Sequence, residues 1–214
     1  MNRKIEFNKK NNFYYLFGFF VLGFGVNTMI MSDFGAGPWD TVTYNLSVLI
    51  NLSLGTTSII IALILMAIVL GYTRKWKLIF MIVPIILVGI SLDFWDVIVF
   101  GNYEPTTILL RLLFYFLGVI AIPLGLAFII SSKYPAFVFD ELMIVIMNVL
   151  KTDKVAGIRI AIEVLGISLG TLFGFIAGIG FGTVGVGSVV MALILGPILA
   201  VFLKMLGGSL NETS

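Results

Sequence analysis

The sequence predicts an all-α polytopic membrane protein, with six transmembrane helices arranged as two inverted three-helix repeats and a short re-entrant or interfacial helix in each. Three observations predict it. The 214-residue chain is 60% hydrophobic and 11% charged, with a mean hydropathy of +1.14, whereas soluble domains carry about 25% charged residues. Its apolar residues gather into six long runs, each near the ~20 residues that cross a bilayer, not into the short alternating segments of a β-barrel. Its two halves match at a constant offset of 100 residues, around two breaks of the same kind.

Phe13 to Met31 forms the first long run. It follows a basic stretch, Met1 to Asn12, and shows no small-residue cleavage pattern, so it reads as a retained helix and not a signal peptide. The stretch Ser32-Asp33-Phe34-Gly35-Ala36-Gly37-Pro38-Trp39-Asp40 then breaks the run and leads into a short apolar segment, Trp39 to Ile50. Ser53-Leu54-Gly55 predicts a turn and cap before the span Thr57 to Tyr72. Leu78 to Phe100 is the third span, closed by the loop Gly101 to Pro105. Ile108 to Ile130 spans again. A second break, Ser132-Lys133-Tyr134-Pro135-Ala136-Phe137-Val138-Phe139-Asp140, leads into a second short segment, Phe137 to Leu150. Ala156 to Gly178 and, after a glycine-rich link, Val186 to Leu203 complete the six.

Loop charges fix the expected topology. If the short segments do not cross, Arg3, Lys4, Lys9, Lys10, Arg74, Lys75, Lys77, Lys133, Lys151, Lys154, Arg159 and Lys204 lie on one side, and only Arg111 lies at the other. Basic residues mark the cytoplasmic side. The sequence therefore predicts a bacterial cytoplasmic (inner) membrane protein with both termini in the cytoplasm. The first short segment would enter from outside and the second from inside.

The 100-residue offset sets Gly18 on Gly118, Gly25 on Gly125, Ser32 on Ser132, Trp39 on Phe139 and Asp40 on Asp140, and Gly89 and Gly196 occupy similar places in the third span of each half. Three spans is an odd number, so the second repeat (about 108–204) must insert upside down relative to the first (about 13–100), within one membrane domain covering 1–214. Interrupted helices in such repeats build sites near the midplane of secondary transporters. The segment Gly35-Ala36-Gly37-Pro38-Trp39-Asp40, with Gly182-Thr183-Val184-Gly185-Val186-Gly187-Ser188 and Leu195-Gly196-Pro197, resembles the signatures of the YitT/YczE-like family of bacterial membrane proteins. Arg159 and Glu163 also fall where that family carries an Arg and an acidic residue. The resemblance runs from about residue 13 to 204. It implies an inner-membrane protein with several spans and implies little biochemistry. Ser188 departs from the Thr usual in the family.

The candidate substrate or ion site is Asp40, Asp140, Arg159, Glu163, Asn27 and Trp39. Asp40, just after Pro38, suits a helix N-terminus, where it caps free N–H groups. A carboxylate carried deeper into a bilayer instead marks an ion or proton path. Asp140 carries the same pair of readings by symmetry. Arg159 and Glu163 are four apart on one face and are expected to face the bundle interior, as a packing ion pair or as a gate. Asn27, with Thr28, Thr41, Thr43, Tyr44 and Asn45, either binds a polar solute or satisfies backbone freed by the break. Gly166, Gly170, Gly174, Gly178 and Gly182 form a stripe for close helix packing, and Gly180, Gly182, Gly185 and Gly187 then expose backbone. Trp39, Trp76, Trp95, Tyr14, Tyr15 and Tyr103 read as interface anchors.

The chain has no cysteine and no histidine, which removes disulfides, thiol nucleophiles and zinc sites of the usual kind. No cofactor or metal is expected. No long basic tract supports nucleic-acid binding. The expected partners are the lipid bilayer and a small solute or ion, with a homo-oligomer or protein partner left open. The expected function is a small transporter or permease, not an enzyme. The alternative is a non-transporting membrane partner or assembly factor. An aspartyl hydrolase of Asp40 and Asp140 needs two carboxyls sharing one proton, and their flanks lack the paired motifs of such enzymes.

Overall fold

A computed structural model of the chain describes residues 8–101, 103–135, 137–152 and 154–206. Arg3, Lys4, Asn102 and Ala136, used in the sequence reading, lie outside them, as do the side chains of Asp140 and Ala156. The described residues hold eight α-helices and no strand. They are α1 (Lys9–Ser32), α2 (Pro38–Ile50), α3 (Leu54–Thr73), α4 (Ile82–Asp93), α5 (Ile108–Ser131), α6 (Val138–Leu150), α7 (Val155–Ile176) and α8 (Val186–Met205). A 3-10 turn, Trp76–Met81, leads into α4, and a π-helical segment, Phe94–Phe100, prolongs it. Six helical stretches are long and apolar enough to cross a membrane, and α2 and α6 are not among them. Each has 13 residues, about 20 Å of helix, against a hydrocarbon core of about 30 Å.

Local chemistry sets the ends. Asn8 caps α1 by accepting from the Lys10 N–H, so the helix begins four residues before the apolar run. Ser53 caps α3 through the Thr56 N–H. Asp93 reaches across from α4 and accepts from the Gly55 N–H at 2.6 Å and from the Ser53 hydroxyl at 2.7 Å. These donors are the orphan groups of a helix start, which is why α3 begins at Leu54 and not at Thr57.

The centre of the molecule is the pair α1 and α5, which are 56% and 50% buried, against 22% to 33% for the other four spans. They run antiparallel through glycine contacts. A Cβ on Gly18 would stand 2.9 Å from the Gly125 carbonyl and 2.7 Å from Ile129; one on Gly118 would stand 2.7 Å from the Gly25 carbonyl and collide with Met29. Gly25 faces Ile122, and Gly125 faces Leu22. Each contact thus has its counterpart 100 residues away. Around the pair, α4 packs on α1 and α8 on α5, while α2 lies on α7 and α6 on α3.

The same offset governs the breaks. The Ser32 and Ser132 hydroxyls donate to the Met29 and Ile129 carbonyls at 2.6 and 2.5 Å. They accept from the Phe34 and Tyr134 N–H groups at 3.2 and 3.3 Å. Asp33 and Lys133 take left-handed φ values of 61° and 62°, and Asn51 and Lys151 follow the short helices at 55° and 49°. Gly89 and Gly196 break the parallel: Gly89 packs on Gly55 and Ile59, while Gly196 has open space beside it.

The glycine stripe is shorter than its sequence period suggests. α7 ends at Ile176, and Gly178, Gly180 and Gly182 adopt φ of 76°, 66° and 55° in the link that follows. Only Gly166, Gly170 and Gly174 act as a helix face.

Candidate functional site

The first break turns the chain inward along α7. The Phe34 carbonyl accepts from the Gly187 N–H at 2.8 Å, and the Ala36 N–H donates to the Thr183 carbonyl at 3.0 Å. Gly35 sits between them at φ 122°, where a Cβ would stand 2.7 Å from the Ser188 nitrogen. Glycine is needed for both the space and the backbone angle. Gly37 then caps α2, Pro38 takes the first helical position, and the Asp40 carboxyl reaches back to the Gly37 N–H. This is one half of a capping box.

The stripe on α7 receives α2. Gly166 lies against Pro38, Gly170 against Thr41, and Gly174 close to Asn45. Residue numbers rise together, so the two helices run parallel. Gly166 is the twelfth of the 22 residues of α7. The N-terminus of α2, with Asp40, therefore stands beside the middle of α7, and α2 runs from there toward the C-terminal end of α7. The N-terminal end of α6 meets it, with the Trp39 ring 4.8 Å from the Phe139 ring.

Asp40 is half-buried. Among the described residues outside the six spans, it is the carboxyl whose surroundings disfavour charge most. Burial first, then the nearby Glu163 carboxylate, push it from an ordinary 3.8 up to about 7, against a lowering by the Gly37 N–H. Glu163 is half-buried one turn before Gly166. The Trp39 Nε1 is buried and has no hydrogen-bond partner among the described residues.

Arg159 departs from its expected interior place and is exposed. It lies seven residues before Gly166 on nearly the same helix face, beyond the point where α2 begins, so α2 does not cover it. Among the described residues the ion pair within 4 Å is Arg111 with Asp33 at 2.8 Å, so Arg159 and Glu163 make no direct ion pair, though they are near enough for their charges to interact. Arg111 is the basic residue that breaks the charge rule, and Asp33 and the Pro105 carbonyl hold it. Asp140 lies in the first turn of α6. Asn27 is fully buried, and its amide donates to the Gly23 and Leu92 carbonyls at 2.9 and 3.1 Å, tying α1 to α4. Trp39 departs from the anchor reading, since its ring packs on Phe139 inside the molecule.

Asn45 takes the backbone-satisfying one of its two expected roles, Tyr15 is buried and departs from the anchor reading, and Tyr115 carries no expectation from the sequence. Asn45 is fully buried and donates to the Gly170 and Phe181 carbonyls at 2.8 and 3.1 Å while accepting from the Thr183 N–H at 3.1 Å. It joins α2, α7 and the glycine link, whose backbone is thus used internally. Tyr15 donates to the Pro135 carbonyl at 2.8 Å, and Tyr115 to the Gly187 carbonyl at 3.0 Å. The signal for the tyrosines was present, because they are 100 residues apart. Among the described residues no three acidic, His or Cys side chains gather to hold a metal ion.

The arrangement brings two helix N-termini, two carboxyls, an indole N–H and aromatic walls to one region beside the middle of a span. Helix N-termini carry about half a positive charge, and protonatable carboxyls can give or take protons.

Residues 9–204 match a family described as a family of unknown function, DUF6198. The chain is 30% identical over 177 residues to the uncharacterized membrane protein YczE of Bacillus subtilis, covering 80% of this chain and 77% of that protein. It is 26% identical over 192 residues to the uncharacterized protein YyaS of the same organism, covering 90% and 92%. A Haemophilus influenzae uncharacterized protein is 24% identical over 197 residues, covering 89% and 82%. These matches bear out the resemblance read from the Gly-Pro-Trp-Asp signature. No solved structure matches the chain.

Proposed function

The chain belongs to the DUF6198 family, a YczE-like family of bacterial membrane proteins, and we propose that it is a small transporter or permease of the cytoplasmic membrane, not an enzyme. In this reading two inverted three-helix repeats form one membrane domain, with both termini in the cytoplasm. α2 and α6 are re-entrant helices whose N-terminal ends meet near the midplane. The moving species is a small solute or ion that touches Asp40 and Glu163, with Trp39 beside them, Asp140 in the first turn of α6 and Arg159 at the cytoplasmic mouth. The acidic character of the site favours a cation, or a solute moved with a proton. Asn27 supports the wall from behind.

The observation that carries the proposal is the position of α2. A half-buried carboxyl stands at a helix N-terminus beside the middle of α7, where a surface cap would lie at its end. Inverted repeats with interrupted helices that place polar groups at mid-depth are the plan of many secondary transporters. The reciprocal glycine contacts of α1 and α5, and the matched breaks, support the repeat.

The test is a thermal-shift screen of purified protein against pools of small polar solutes, followed by counterflow of each hit in proteoliposomes. The expected result is protein-dependent flux that Asp40→Asn lowers by about tenfold or more, the scale of one proton-transfer group. Equal flux in that variant removes Asp40 from the mechanism. No hit, together with one dominant protein captured by crosslinking in cells, supports a membrane partner or assembly factor instead.

A further inference from the structure

A cavity of about 420 Å³ lies apart from the carboxyls, between α1, the start of α4 and the second break. Its walls include Tyr15, Leu16, Phe80, Val83, Leu87 and Pro135. Its volume is in the range of small-ligand sites, ~300–1,000 Å³. Its lining is almost wholly apolar, and the phenols in it are engaged. Tyr15 donates to the Pro135 carbonyl, and Tyr134 donates to the Asn12 side chain. With so little polar lining, a hydrocarbon chain fits the cavity better than a polar solute does. Leu16, Phe80 and Val83 are also exposed, at 58%, 59% and 46%, so the cavity mouth belongs to the apolar surface that a bilayer covers.

Charge identifies the occupant further. With Asn12 and Tyr134, which also line it, counted among the walls, every charged residue within four positions of a wall residue is a lysine: Lys9, Lys10, Lys77 and Lys133. All four are exposed. They stand at the start of α1, in the turn before α4 and at the second break. The matching place at the first break is filled: Gly187 bonds Phe34, and Tyr115 closes on Gly187. The two ends of the molecule therefore differ, and the cavity is on the basic one.

We propose that this cavity holds an acyl chain of an anionic phospholipid, whose headgroup lies over Lys77 and Lys133. Juxtamembrane lysines attract anionic headgroups, and a basic pocket between helices selects them. The inference stands apart from the transporter reading.

Native mass spectrometry of the delipidated, purified full chain tests it, with dioleoylphosphatidylglycerol and dioleoylphosphatidylcholine titrated separately. The expected result is one phosphatidylglycerol adduct, held about tenfold or more tighter than phosphatidylcholine. Val83→Trp, which fills the cavity from its mouth, removes that adduct. The double substitution Lys77→Gln with Lys133→Gln, on exposed side chains that leave the fold intact, lowers phosphatidylglycerol to the phosphatidylcholine level. Equal binding of the two lipids by the unaltered chain overturns the proposal. So does unchanged phosphatidylglycerol preference in the lysine variant, or in a folded Val83→Trp.

Discussion

The carboxyl of Asp40 accepts from the Gly37 N–H and is raised to about 7 by burial and by Glu163. A raised acid binds its proton more tightly in the folded protein than in the unfolded chain. Its contribution to stability is therefore greatest at low pH and is lost as pH rises from about 4 through about 7. Thermal unfolding of the purified protein is expected to fall in midpoint between about pH 5 and pH 8. Asp40→Asn flattens that fall, and an equal slope in the variant would show that Asp40 does not titrate in this window. Asn45 gives a second prediction at this scale. It satisfies two carbonyls and one N–H with no exposure, so Asn45→Ala leaves buried polar groups unpaired and costs about 2–3 kcal/mol. Denaturant unfolding of the pure protein measures that loss. Asp40 was legible as a cap because Pro-x-Asp is a local signal. Asn45 was legible as a group able to satisfy backbone near the break, but its partners lie 125 to 138 residues away and no local pattern names them.

Helix pairing rests on where a side chain cannot fit. Gly18, Gly25, Gly118 and Gly125 meet in the α1–α5 crossing, where a Cβ would stand within 3.0 Å of the partner backbone or side chains. Gly71 of α3 and Gly196 of α8 meet nothing within 4 Å. Any Ala substitution in the first group is expected to lower the melting point or abolish folding. Gly71→Ala and Gly196→Ala are expected to be neutral or to stabilise by up to about 1 kcal/mol, through helix propensity alone. Fluorescence-detected size exclusion after graded heating separates the two groups. The elements themselves were readable, since apolar runs, the Gly-Pro-Trp-Asp break and the 100-residue offset are all local or periodic features. The docking of α2 into Gly166, Gly170 and Gly174 was half readable. The period announced close packing, and only the fold says against which helix. The π-helical segment Phe94–Phe100 left no signal that we find.

At the scale of the molecule, the α1–α5 pair forms the centre, the two short helices pack on α7 and α3, and the exposed lysines gather at one end. Topology reporters follow from this. An alkaline phosphatase fusion near Tyr103 is expected to be active and one at Lys77 inactive, by the positive-inside rule; the reverse pattern would place the basic loops outside. The direct test of the central claim uses the absence of native cysteine. Trp39→Cys with Phe139→Cys puts two thiols where two rings now pack at 4.8 Å. Treatment of intact membranes with a short, membrane-permeant bismaleimide is expected to link the two halves, read as a joined pair of tryptic peptides. Two interfacial helices on opposite faces of a bilayer would stand about 30 Å apart. Failure of the pair to link, while both thiols react singly, would contradict the meeting of α2 and α6 on which the site depends.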